Sequence, residues 1–197
     1  MRMAKLPTAL PAFLDEDKGE VNVVIETPRG SRVKYAWDQE REIFVHKKLL
    51  PLGMVFPYDF GFIPSTKAED GDPLDALVLL DEPLQVGTLV EARLIGVIEA
   101  EQTEPVEGKK NKTQTVRNDR LLAIGKLSKD YAGIDDPRNM RPESIEQIQQ
   151  FFIQYSKLEG REFKVLDVRG PKRALKLLKH AINGGDDEEA EELKGAA

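Results

Sequence analysis

Apolar and polar positions over the first two-thirds of the chain follow the short period of strands, and only the last third carries the wider spacing of helices. The segment 21–27 (Val21-Asn22-Val23-Val24-Ile25-Glu26-Thr27) is apolar and β-branched and reads as a strand. Pro28, Gly30 and Ser31 supply turn chemistry, and 32–37 then alternates polar and apolar residues as a half-buried strand does. A third strand is expected over 42–46, after a polar turn at 38–41, and further short strands near 53–59, 76–80, 88–99 and 120–127. Residues 1–20, with Pro7, Pro11 and the charged stretch from Asp15 to Glu20, read as an irregular arm.

Two helices come late. The segment 143–158 places Ile145, Ile148, Phe151, Phe152 and Tyr155 on one helical face, and Gly160 stands just past its end, where a left-handed stop is common. Pro171–Ile182 has proline in its first turn and Gly184-Gly185 beyond it. Short strands followed by helices predict an α+β protein, mainly β: a small barrel flanked by two C-terminal helices. Neither repeats nor an internal linker are visible, so residues 1–197 read as one domain with an arm at 1–20 and an acidic tail at 183–197. The polar stretch 101–117, which holds Lys109, Lys110 and Lys112, suits either a loop or the tip of a long hairpin.

Composition narrows the function. Hydrophobic residues make up 40% of the chain, enough for a packed core, which sets wholesale disorder aside. The six carboxylates of 186–192 account for the whole net charge of −6, so the remainder of the chain is neutral. A neutral body with an acidic tail argues against general nucleic-acid binding, which needs a basic face. Without cysteine there are no disulfides and no thiolate metal sites. No long apolar run marks a membrane span or a secretion signal, and a cytoplasmic location is expected.

The chemistry concentrates in Asp70-Gly71-Asp72-Pro73-Leu74-Asp75. Three carboxylates lie around a glycine that permits a tight turn and a proline that stiffens it, ahead of an apolar strand that would anchor them. Converging carboxylates repel one another and raise each other's pKa, and a cation relieves that repulsion, so the set suits a hard divalent ion. A calcium loop does not fit, because Asp75 and Asp81 stand where that loop needs its glycine and its bidentate glutamate. Spacing alone leaves metal binding and a strand-capping, Asx-rich surface turn open.

The segment Asp70 to Asp75 resembles the signature of the family I soluble inorganic pyrophosphatases. The resemblance spans roughly residues 20 to 168, through Phe56-Pro57-Tyr58-Asp59-Phe60-Gly61-Phe62-Ile63-Pro64, Pro83-Leu84-Gln85-Val86-Gly87 and Lys126-Leu127-Ser128-Lys129-Asp130-Tyr131, to the helix segment containing Tyr155. It implies a five-stranded OB-like β-barrel and hydrolysis of pyrophosphate to two phosphates, with Mg²⁺ as cofactor and Mn²⁺ as a possible substitute. By the same resemblance, Asp70 and Asp75 are metal ligands, Asp72 is a metal-linked base toward the attacking water, and Glu26 helps hold the metals. Lys34, Lys47, Arg120 and Tyr155 bind phosphate, with Lys34 and Tyr155 also counted as catalytic. A homo-oligomer, a hexamer in bacterial members, is implied too. Taken singly, Glu26 also suits an exposed strand acid, Lys34 a solvated strand residue and Tyr155 a helix core position.

The departures from the pattern are equally specific. Ala36 stands where the family has an acid, and Lys47 stands for an arginine, which loses the two-pronged fork. Phe56 and Phe60 stand for tyrosines and Ser156 for a lysine. In the second acidic cluster, Gln102 and Asn118 replace aspartates and Arg120 replaces a lysine. Glu101, Glu104, Glu107 and Asp119 are candidates for a missing carboxylate, since a one-residue strand shift would exchange Asn118 for Asp119. These changes keep two alternatives in view: a phosphohydrolase of the same fold acting on another polyphosphate or a nucleotide, and a catalytically weakened module that binds a phosphate ligand.

Overall fold

The computed structural model describes residues 6–69, 71–106 and 112–183. Asp70, Glu107, Lys109, Lys110 and the acidic run 186–192 lie outside the described residues. The elements are β1 (Phe13–Asp15), β2 (Glu20–Thr27), β3 (Val33–Asp38), β4 (Ile43–Leu49), β5 (Asp59–Phe62), β6 (Asp75–Leu79), β7 (Leu89–Pro105), β8 (Thr113–Arg117), β9 (Arg120–Gly125), α1 (Pro142–Leu158), β10 (Phe163–Arg169) and α2 (Pro171–Ile182).

Five strands close on themselves. β2 pairs with β5, β5 with β6, β6 with β9, β9 with β7, and β7 returns to β2. Only the β6–β9 pair is parallel. β7 can serve two ring neighbours because it is long. Leu89–Arg93 pair with β2, Ala92–Ile98 with β9, and the far end then pairs with β10 and β8. Closure leaves these strands no exposed edge within the ring.

Strand alternation sorts the ring residues onto two faces. Val21, Val23, Ile25, Ala76, Val78, Val90, Ala92, Leu121 and Ala123 form one cluster, which α2 joins with Ala174, Leu178 and Ala181. Ring strands β2, β6, β7 and β9 all contribute, and the residues are mostly small, as the interior of a narrow barrel demands. The larger Leu77, Leu79, Ile95, Ile98, Leu122 and Ile124 face outward, where α1 covers them with Ile148 and Phe152, beside Phe60 and Phe163. The same alternation puts Asp75, in phase with Leu77, on the outer face. The site is therefore built against the barrel wall under α1, not inside the barrel.

β3 and β4 form a separate two-stranded sheet. It is tied to β2 through Thr27, whose Oγ1 accepts the Tyr35 N–H at 3.1 Å and donates to the Tyr35 carbonyl at 3.3 Å. Several expectations need correction. The strand expected near 53–59 lies at Asp59–Phe62, because Pro51 and Pro57 cannot donate to a ladder. The arm contains β1, which pairs with β2. The strand expected over 88–99 continues to Pro105, and with β8 it makes the long hairpin that the polar stretch allowed. β10, between the two helices, has no counterpart in the sequence reading. Both helices stand where their periodicity places them, and Gly160 adopts φ 71° past the end of α1.

Candidate active site

The acidic segment is fixed at both ends. Ile63 N–H donates to the Leu74 carbonyl at 2.9 Å, and the Thr66 hydroxyl bridges the Ile63 carbonyl and the Leu74 N–H at 2.6 and 2.9 Å. Within this clamp, Ala68 N–H donates to the Asp72 carbonyl at 2.8 Å, and Gly71, at φ 89°, donates to Ala68 at 3.0 Å. A residue with a Cβ is strained at that φ, so the glycine is what lets the chain double back. Asp75 then opens β6.

Glu26, at the end of β2, is buried, and its Oε1 accepts the Trp37 N–H at 2.8 Å. Burial pushes its carboxyl up to about 7; the Trp37 N–H and Lys34 pull against this, and the charges of Asp75 and Asp72 add to it. Glu26, Asp72 and Asp75 thus lie within electrostatic reach of one another, with too little positive charge at Glu26 to hold it in the usual carboxylate range. Among the described residues no three metal-binding side chains converge closely enough to hold an ion by themselves. Every donor in the set is a hard carboxylate oxygen, and the strain on Glu26 is of the kind a divalent cation relieves, so the residues fit such a group.

Two cations, Arg120 and Lys34, stand near these acids. Arg120 Nη1 meets Asp75 Oδ2 at 2.7 Å, and it also bonds the Asn118 side-chain oxygen and, at 3.1 Å, the Asp119 carbonyl. Its guanidinium carbon lies 5.0, 5.8 and 5.9 Å from the ring centres of Phe152, Phe163 and Phe60. Its Nε is buried without a hydrogen-bond partner among the described residues. Lys34 Nζ lies 5.1 Å from the Phe60 ring centre and 6.0 Å from that of Tyr155. Burial and the charge of Glu159 push the Tyr155 hydroxyl well above its usual range.

Lys48, next to Lys47, also lies against this aromatic wall. Lys34 pairs with Lys48 in the β3–β4 register while Tyr35 pairs with His46, which leaves Lys47 as the unpaired residue of a β-bulge. Lys47 is exposed. Lys48 Nζ sits 4.7 Å over the Tyr155 ring and pairs with Glu159. Burial, together with the charges of Lys34 and Arg161, pulls the Lys48 ammonium below its usual range against the pull of Glu159. The Lys47-Lys48 doublet was visible in the sequence, but nothing local marks which lysine the bulge expels.

The outer end of the site is neutral. Gln102 and Asn118 are buried amides, and the Ser156 hydroxyl donates to Gln102 Oε1 at 3.2 Å. Glu104, which shares a strand face with Gln102, accepts from Gln102 Nε2 at 3.2 Å and from Arg161 at 3.3 Å. Glu101 alternates to the opposite face. Asp119 turns away to accept the Ala100 N–H at 2.9 Å and to pair with Arg117, so Asn118 and Arg120, not Asp119, face Asp75.

The model of the family described as inorganic pyrophosphatase matches residues 23–184. The chain is 36% identical over 163 residues to soluble inorganic pyrophosphatase 2 of Chlamydomonas reinhardtii, covering 83% of this chain and 79% of that one. It is 39% identical over 143 residues to an inorganic pyrophosphatase of Saccharolobus solfataricus, covering 71% and 76%. Among solved structures, the inorganic pyrophosphatase of Thermus thermophilus superposes with a TM-score of 0.80 at 33% identity, over 92% of this chain and 99% of that one.

Proposed function

The chain belongs to the inorganic pyrophosphatase family, and on that premise we propose how its own residues hydrolyse pyrophosphate to two phosphates. Asp70, Asp72 and Asp75 hold divalent cations, Mg²⁺ by preference and Mn²⁺ as a substitute, with Glu26 supporting them. When bound, such ions acidify a water and neutralise phosphate oxygens. Asp72 accepts the proton of the attacking water. Arg120, already fixed on Asp75, together with Lys34, Lys48 and the Tyr155 hydroxyl, binds the oxygens of the anhydride and steadies the charge that builds as the bridge breaks. The aromatic wall of Phe56, Phe60, Phe151 and Phe152 excludes water beneath these groups, which strengthens each ionic contact.

The observation that carries this reading is the placement of Asp72 and Asp75 against the buried, charge-strained Glu26, with Lys34 and Arg120 across from them. The whole chain acts as one domain in the cytoplasm, in a homo-oligomer that we take to be a hexamer. Among the described residues, no helix is long and apolar enough to cross a membrane. The test is phosphate release from pyrophosphate with Mg²⁺ or Mn²⁺, with Asp72→Asn compared with the unmodified chain. Removing the proton acceptor should lower kcat by about 10²- to 10⁴-fold. Equal turnover in both proteins rejects the assignment of Asp72.

A further inference from the structure

A second cluster of buried charge lies away from the site, on the strand faces opposite Arg120. The carboxylate of Glu99, in β7, accepts from Arg117 Nη2 at 3.0 Å and from Arg173 Nε at 2.8 Å, with Arg169 at 3.8 Å. Asp119 meets the same Arg117 guanidinium at 2.9 Å. One arginine therefore clips an acid of β7 to the acid of the β8–β9 joint.

The clip sits at a particular joint. β8 and β9 run consecutively along β7, separated only by Asn118 and Asp119. Asn118 N–H donates to the Ala100 carbonyl at 2.9 Å, but the Ala100 N–H goes to the Asp119 side chain at 2.9 Å instead of to a backbone carbonyl. The Asp119 carboxylate thus closes the ladder where the strands change over, and it does so on the face that leaves Asn118 and Arg120 on the Asp75 side. In addition, the backbone N–H of Arg117 donates to Glu69 Oε2 at 3.3 Å, at the start of the acidic segment. The joint therefore touches the site twice, through Arg120 on Asp75 and through Glu69.

We propose that Glu99, Arg117 and Asp119 are positioning residues for the metal-binding end of the site. They fix the 117–120 segment so that Arg120 holds Asp75 and Arg117 holds the acidic segment in register. The inference rests on the metal-binding reading above. It is tested with the full-length chain by measuring Mn²⁺ affinity from the electron paramagnetic resonance of the free ion, alongside kcat and KM. Arg117→Lys keeps the charge but cannot span both carboxylates, and Asp119→Asn keeps an acceptor for Ala100 but loses the ion pair. Each should weaken Mn²⁺ binding by about 10- to 100-fold, as loss of groups that orient metal ligands does, while KM moves far less than kcat. Arg173→Gln loosens only the α2 arm of the cluster and should lower Tm with Mn²⁺ affinity unchanged. Should Asp119→Asn fail to fold, Arg117→Lys carries the test. Folded Arg117→Lys protein with unaltered Mn²⁺ affinity overturns the proposal, as does an equal loss in Arg173→Gln, which would mark the cluster as merely structural. Tight Mn²⁺ binding without phosphate release would reject the proposed hydrolysis and leave the positioning role decided by affinity alone. An unmodified chain that binds no Mn²⁺ overturns both.

Discussion

Two groups of acids, one at the ends of β2 and β6 and the other on β7 and the β8–β9 joint, are surrounded differently. Around Glu99 and Asp119, the arginines Arg117, Arg169 and Arg173 crowd the carboxylates. Around Glu26, Asp72 and Asp75, Arg120 meets Asp75, and burial pushes the Glu26 carboxyl up to about 7, with the charges of Asp75 and Asp72 adding to it. The first group is closed by the protein's own cations and holds strands together. The second gathers carboxylates at the base of a cationic and aromatic wall, an arrangement that a divalent cation would complete. The chemical type of a residue does not separate the two, since both are built from aspartate and glutamate; what separates them is how many guanidinium groups the fold delivers to each.

The hardest test of this contrast removes an acid from the closed group. Glu99→Leu leaves Arg117 and Arg173 without their shared partner in a largely buried setting, and such a loss should cost about 3 kcal/mol of stability, read by denaturant unfolding. A neutral outcome would mean the cluster is no better closed than the site. Next, Arg120→Met frees Asp75 and deletes a charge-assisted contact to phosphate, so KM for pyrophosphate should rise by about 10- to 100-fold. Steady-state kinetics with unchanged KM would show that Arg120 serves Asp75 alone. The mildest test divides the lysine doublet. Lys48→Ala should raise KM by about 10-fold, whereas the exposed Lys47→Ala should leave it within about 2-fold. The reverse order would place the bulge wrongly.

The departures from the family pattern take on physical meaning in the same frame. Gln102, Asn118 and Ser156 are neutral: Ser156 donates to Gln102, Gln102 donates to Glu104, and Asn118 accepts from Arg120. Of the carboxylates that sequence offered as substitutes, Glu104 is engaged by Arg161 and Gln102, and Asp119 by Arg117. The outer end of the site thus carries amides beside a buried guanidinium. At 120, the planar arginine fork reaches Asp75 and Asn118 together, which an ammonium on a flexible stem does poorly.

Much of the molecule could be read locally. The span Pro171–Ile182 follows from its proline start and glycine stop, α1 from its apolar stripe, and the turn at Gly71 from the steric freedom of that one residue. The acidic segment stood out in the sequence because three carboxylates around a stiffened turn have few ways to avoid one another. Three things depended on contacts distant in the chain. β10 becomes a strand because β7 extends far enough to pair with it. Lys48, not Lys47, pairs with Lys34 because the β3–β4 register slips by one residue at a bulge. Asp119 leaves the site because Arg117 and the Ala100 N–H capture it from the far face. Sequence determined which groups are available and which short segments hold them, since propensity and turn chemistry act over a few residues. Only the tertiary structure decided which acids meet arginines and which are gathered beside Glu26, because ring closure and strand register set the distances on which charge interactions depend.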